Sequence, residues 1–135
     1  MTRAALEDYI RLVTELNEAR AAYHEEELKA LPGAQNLDGM PRSAGGAVRK
    51  VEEYGISLAE YAEILGLRRL ERAVEQRKPE VVTWIAGRRN AATRKVLKLR
   101  VLDALPWKLV AARCGAGVSE DAVRMQYARA VGNLP

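Results

Sequence analysis

Among its 135 residues the chain has one cysteine, Cys114, and one histidine, His24. A single cysteine excludes an internal disulfide framework and any zinc site of the C-x-x-C kind. A single histidine excludes metal sites and catalytic pairs built on two imidazoles. Phe is absent, and aromatic residues make up only 5%, which argues against the aromatic-rich pattern of sheets. Uncharged apolar runs are short, Val81–Gly87 being about the longest, whereas a bilayer-spanning helix needs about 20 residues. No membrane partner is therefore expected. Glu7 and Asp8 fall in the first turns with no apolar core beside them, so no secretory signal is expected and the expected location is the cytoplasm. No nucleophile–base pair, and no carboxylate cluster beside a His, Cys or glycine loop, can be picked out. The expectation is a non-enzyme with no catalytic residue, no cofactor and no metal.

What is present is 48% hydrophobic and 30% charged residues, enough apolar material for one packed domain, or one domain plus an arm. Ala, Leu, Arg and Glu dominate, a composition that favours helix. The net charge of +4 conceals an asymmetry. Residues 1–67 hold 7 Lys/Arg against 12 Asp/Glu, a balance of −5, and residues 68–135 hold 15 against 6, a balance of +9. A basic C-terminal half points to a polyanion partner for that half alone, unless its cations only solvate helix faces.

Apolar spacing of three and four places an amphipathic helix over about Ala4–Ala30, with Leu6, Tyr9, Ile10, Val13 and Leu16 on one stripe. That stripe needs a partner surface, within the chain or between copies, and the stripe of residues 58–85 is the expected one. The run Glu25-Glu26-Glu27 reads as a solvated face, and His24 as a surface or interface residue. Pro32-Gly33 ends the helix. Residues 31–47 then form a Gly/Pro-punctuated linker. Its glycines match neither the phosphate-loop nor the dinucleotide spacing. Ser57-Leu58-Ala59-Glu60 has the form of a capping box. Leu58, Tyr61, Leu65, Leu70 and Val74 continue as a stripe, flanked by Ile64 and Leu67, until Pro79 kinks or breaks the helix. Val81, Val82, Trp84 and Ile85 carry an apolar face up to Gly87, with Trp84 as a core or interface anchor. A further block runs from Asn90 to Leu105, and its density of apolar residues demands burial. The expected organisation is an all-α chain: N-terminal helix and linker (1–47), long central helical segment (48–89), and a C-terminal helix-turn-helix (90–135).

The last 45 or so residues satisfy the helix-turn-helix requirements. Pro106 suits a helix start. Ala111 is the small residue where two helices cross, with Leu109 and Val110 preceding it as a core face. Gly115 lies four later in the turn, and Val123 is the branched residue that locks the pair. Ser119 caps the final helix, and Glu120 and Asp121 complement its dipole. Val123 stands two residues later than in the tight form of the motif, so Ala116-Gly117 read as turn insertions. A rival candidate, Ser57–Gly66, has Ala62 and Gly66 in place, but Arg72 stands where Val or Ile is needed.

At 100° per residue, Val123, Gln126, Tyr127 and Ala130 share the inward side of the last helix. Asp121, Met125 and Ala128 point outward, flanked by Arg124 and Arg129. The base-facing set is therefore Asp121, Arg124, Met125 and Ala128, with Arg124 the reader of a guanine edge. Asp121 either accepts from cytosine or serves only the helix N-terminus. Lys108, Arg113, Ser119 and Arg129 form the phosphate-facing set. Cys114 reads as core packing, and Trp107 as a residue packed under the motif.

The segments Leu97–Ala111 (LKLRVLDALPWKLVA) and Ser119–Val131 (SEDAVRMQYARAV) resemble the C-terminal part of phage late-transcription regulators of the RinA and ArpU type. That part in turn resembles the promoter-binding fourth region of bacterial sigma factors. Leu37–Arg42 (LDGMPR) is similar to the short D-x-M-P linker motif of such proteins. The sequence departs from the pattern in the turn insertion and in Val101, where an aromatic is common. The resemblance implies a small phage or prophage protein that binds double-stranded DNA and activates late or packaging genes, with a sigma-region-4-like fold at its C-terminus. Host RNA polymerase is a candidate partner, as is a second copy through the N-terminal and central helices. The alternatives are a small terminase-like packaging component, or an interaction module acting on RNA polymerase without DNA readout.

Overall fold

The structure is a computed structural model, and it describes residues 1–30 and 55–135. The linker 31–47, the Leu37–Arg42 motif and the first residues of the central segment lie outside the described residues. Six α-helices and one π-helical turn, with no strand, make up the regular structure of the described residues. They are α1 (Arg3–Ala30), α2 (Leu58–Leu65), α3 (Leu67–Ala86), α4 (Ala91–Leu97) with a π-helical continuation Lys98–Leu102, α5 (Trp107–Cys114) and α6 (Glu120–Gly132). The fold is all-α. No helix among the described residues is long and apolar enough to cross a membrane.

The chain divides into two compact units, and the cuts fall inside α1 and α3. One unit comprises residues 15–72. Leu16, Ala19, Leu67 and Leu70 are buried there. The Ser57 hydroxyl accepts from the Glu60 N–H at 3.1 Å and donates to the Glu60 carboxylate at 3.4 Å. The side chain of Glu60 thus meets the Ser57 side chain. Gly66 closes α2 in the left-handed region (φ 71°), where an L side chain is strained. The glutamate run does not behave as one solvated face. Glu25 pairs with Lys29 and Glu27 lies 3.7 Å from His24, while Glu26 is buried. Three consecutive helical residues span about 200° of arc, so one of them turns inward. Ile64 is 68% exposed, although its spacing placed it beside the apolar stripe.

The other unit joins residues 1–14 to 73–135. Its main core cluster draws Leu6, Tyr9 and Val13 from α1, Val81, Trp84 and Ile85 from α3, Leu97 and Val101 from the α4 segment, and Ala130 from α6. Asp8 pairs with both Arg11 and Arg77, and the Arg3 N–H donates to the Pro135 oxygen at 3.0 Å. Pro79 neither breaks nor restarts the helix: α3 runs through it from Leu67 to Ala86. Burial of Val81, Trp84 and Ile85 within the next two turns offsets the proline's cost, about 3 kcal/mol in a helix interior.

The block from Asn90 to Leu105 holds α4 and the π-turn that follows it. It has two buried sides. Leu97 and Val101 face the main cluster, and Val96 and Leu99 face a second cluster with Val110, Ala111 and Val123. This double burial accounts for its apolar density. At its end Ala104 takes φ 52°, and the Leu105 N–H donates to the Leu99 carbonyl at 3.1 Å. The chain thereby reverses into Pro106 and α5.

Candidate nucleic-acid interface

α4, α5 and α6 each contact the other two. Side chains lock every joint of this arrangement. Asn90 accepts from the Ala92 N–H at 2.8 Å and the Thr93 N–H at 3.4 Å, which caps α4. Arg94 donates to the Arg88 and Arg89 carbonyls at 2.6 and 3.0 Å, and so pins the α3–α4 connection. Arg100 donates to the Leu105 carbonyl at 2.9 Å, and its guanidinium carbon stands 4.4 Å from the centre of the Trp107 ring. Trp107 meets Tyr127 edge-on at 5.3 Å. Burial pushes the Tyr127 phenol above its usual pKa, Arg100 works against that rise and Glu7 adds to it.

The connection from α5 to α6 is the five residues Gly115–Ser119. Gly115 (φ 140°) and Gly117 (φ 82°) both take positive φ, and the Val118 N–H donates back to the Gly115 carbonyl at 3.3 Å. A Cβ on Gly117 would meet nothing within 4 Å, so the backbone angle alone calls for glycine there. Ser119 caps α6 by accepting from the Ala122 N–H at 3.1 Å. Val123 and Ala130 are buried, Gln126 and Tyr127 are half-buried, and Asp121, Arg124, Met125, Ala128 and Arg129 are exposed.

The base-facing set Asp121, Arg124, Met125 and Ala128 thus lies along the exposed side of α6. Of the phosphate-facing set, Lys108 and Arg113 are exposed on α5, Ser119 is exposed at its cap position, and Arg129 is exposed on α6. Leu109 does not join the core: it is 45% exposed, and Val110 and Ala111 fill that role. On the short α5 the inward arc admits only two consecutive residues. Trp107 does not lie wholly beneath the helices either. It is half-buried, between Tyr127 and the guanidinium groups of Arg100 and Arg124. Cys114 packs at the margin of the second cluster.

Two features add to the division of α6 into an inward and an outward side. First, the Arg124 guanidinium lies 3.5 Å from the Glu120 carboxylate and 5.9 Å from the Trp107 ring centre. Second, Arg129 sits on the opposite flank, about 140° around the helix, where two clefts meet. One, of about 490 Å³, is largely apolar, with Ala92, Cys114, Val118, Ala122 and Met125 in its walls and Lys95 beside Arg129. The other, of about 290 Å³, is lined by Arg88, Arg89, Asn90 and Thr93 across from Gln126 and Arg129. The pairing of Glu120 with Arg124 at i and i+4 is the only one of these contacts that a sequence pattern signals. No group of three or more His, Cys, Asp or Glu side chains able to hold a metal occurs among the described residues. No protein-family model, curated protein or solved structure matches the chain.

Proposed function

We propose that residues 90–135 bind double-stranded DNA sequence-specifically through α6, in a sigma-region-4-like helix-turn-helix, and that the chain regulates transcription of phage or prophage late genes. The observation that carries the DNA reading is the exposed side of α6. It is a capped helix of 13 residues, locked from behind by Val123 and Ala130, with Arg124, Met125 and Ala128 facing solvent. A helix with side chains is about 10–12 Å across, and the major groove is about 12 Å wide, so such a helix fits it. The late-gene reading rests on the resemblance of Leu97–Ala111 and Ser119–Val131 to the regulators named above. Host RNA polymerase and a second copy of the chain are its candidate partners.

Arg124 is already engaged with Glu120, and the magnitudes decide whether it reaches a base. An exposed i,i+4 pair is worth about 0.3–0.5 kcal/mol, whereas two hydrogen bonds to guanine discriminate by about 1–3 kcal/mol. The base contact wins. Arg129 has no carboxylate partner among the described residues, and it meets backbone phosphate.

The test is competition between a selected site and a scrambled duplex, across a salt series. With about 4–6 phosphate contacts, log affinity falls against log salt with a slope of roughly −4 to −5. Arg124→Ala costs about 1–3 kcal/mol on the selected site and relaxes one base pair; Arg129→Ala weakens all sequences alike and lowers the slope by roughly one. A flat salt dependence overturns the DNA reading. In that case the largely apolar cleft beside Met125 and Val118 favours a protein-interaction module. Salt-dependent binding by a ring-shaped oligomer points instead to a packaging component.

A further inference from the structure

The α3–α4 connection and the C-terminal half of α6 face each other across the smaller cleft. Arg88, Arg89, Asn90 and Thr93 line it from the connection and the start of α4, and Arg129 lines it from α6. No carboxylate lines this cleft. Among the described residues, neither Arg88, Arg89 nor Arg129 forms an ion pair, whereas Arg11, Arg20, Arg77 and Arg124 all do. Three arginines thus line a cleft of about 290 Å³ with no carboxylate in its walls, and the backbone that carries two of them is held. The holding contacts are visible. Arg94 bonds both the Arg88 and the Arg89 carbonyl. The Arg88 Nε donates to the Trp84 carbonyl at 3.0 Å, and its guanidinium carbon stands 5.3 Å from the Trp84 ring centre. Trp84 itself is buried in the main core. The Asn90 side-chain oxygen is used in capping α4, which leaves its amide N–H groups as donors.

We propose that this cleft is a phosphate-binding cradle, and that it receives a backbone phosphate of duplex DNA when α6 lies in the major groove. A planar guanidinium offers two parallel donors to a phosphate, and that of Arg88 is already held by the Trp84 carbonyl and ring. Arg124 and Arg129 lie on opposite flanks of α6, so a helix filling the groove sets the cradle against one phosphate strand. The seating on DNA rests on the function proposed above. The affinity for a phosphate group does not.

Two measurements on the full chain keep these apart. In the first, inorganic phosphate is titrated at constant ionic strength against chloride, and arginine Nε–Hε and backbone NMR signals are followed. Arg88, Arg89, Thr93 and Arg129 shift together. Arg89→Gln weakens phosphate binding several-fold, while Lys78→Gln, the same charge change on α3 about 12 Å before the helix ends at Ala86, leaves it unchanged. In the second, Arg89→Gln lowers the salt slope on a short duplex by about 0.9, one contact's share, and Lys78→Gln does not. Shifts spread evenly over all basic residues, or an Arg89→Gln variant indistinguishable from Lys78→Gln in both measurements, overturn the cradle. Localised phosphate shifts without any salt-dependent duplex binding uphold the cradle and overturn the DNA reading.

Discussion

Val123 and Met125 stand two residues apart on α6, yet the first is 1% exposed and the second 55%. Truncating each to alanine therefore tests the orientation of the helix on which the proposed interface depends. Val123 is packed in the cluster of Val96, Leu99, Val110 and Ala111. Val123→Ala removes two methyl groups, worth about 0.8 kcal/mol each in transfer. A residual cavity adds about 24 cal/mol per Å³, so incomplete collapse around the site brings the total to roughly 2–3 kcal/mol. Met125→Ala removes more atoms from a surface position and changes stability by less than about 0.5 kcal/mol. Urea denaturation followed by helical circular dichroism gives both values from the midpoints, provided the slopes match wild type. Duplex binding reverses the order: Met125→Ala weakens it, whereas Val123→Ala leaves it unchanged at temperatures where the variant is folded. A Val123→Ala loss below about 0.5 kcal/mol, or a Met125→Ala loss above about 1.5 kcal/mol, would mean that α6 is turned about its axis from the orientation described. The base-facing assignments would go with it.

Gly117→Ala loses about 1 kcal/mol through the backbone alone, because φ is positive and nothing surrounds the site; a thermal melt in which Gly117→Asn falls between wild type and alanine checks this. Alkaline pH destabilises the unit holding Tyr9 and Tyr127, since burial raises both phenols above the ordinary tyrosine value of 10.0. A folded pKa above the unfolded one gives stability that is fully present below pH 10.0 and is lost as pH rises through the folded value. Urea midpoints collected up to strongly alkaline pH follow this, and a Tyr127→Phe variant shows a smaller fall; an equal fall would exclude Tyr127 as a source.

The all-α class and the positions of most helices were decided by local chemistry. Ser57, Asn90 and Ser119 cap helices in the structure as their side chains require. Gly66, Gly115 and Gly117 take the positive φ that other residues avoid, and Pro106 precedes the first residue of α5. These effects reach only a few residues along the chain, which is why spacing and residue type reveal them. The inward side of α6 was legible for the same reason: a 13-residue helix with one apolar edge has one way to face a core.

Tertiary packing decided what local pattern leaves open. Pro79 sits inside a continuous helix because Val81, Trp84 and Ile85 are buried against residues from the first and last helices. Glu26 is buried and Leu109 exposed, because a helix turns a fixed arc per residue whatever side chain falls there. Above all, the flanking clefts join residues separated by about 40 positions, Arg88 and Arg89 with Arg129. The charge of each is written in the sequence. Their convergence comes from the crossing of α4 and α6, and periodicity along a single helix carries no record of that crossing.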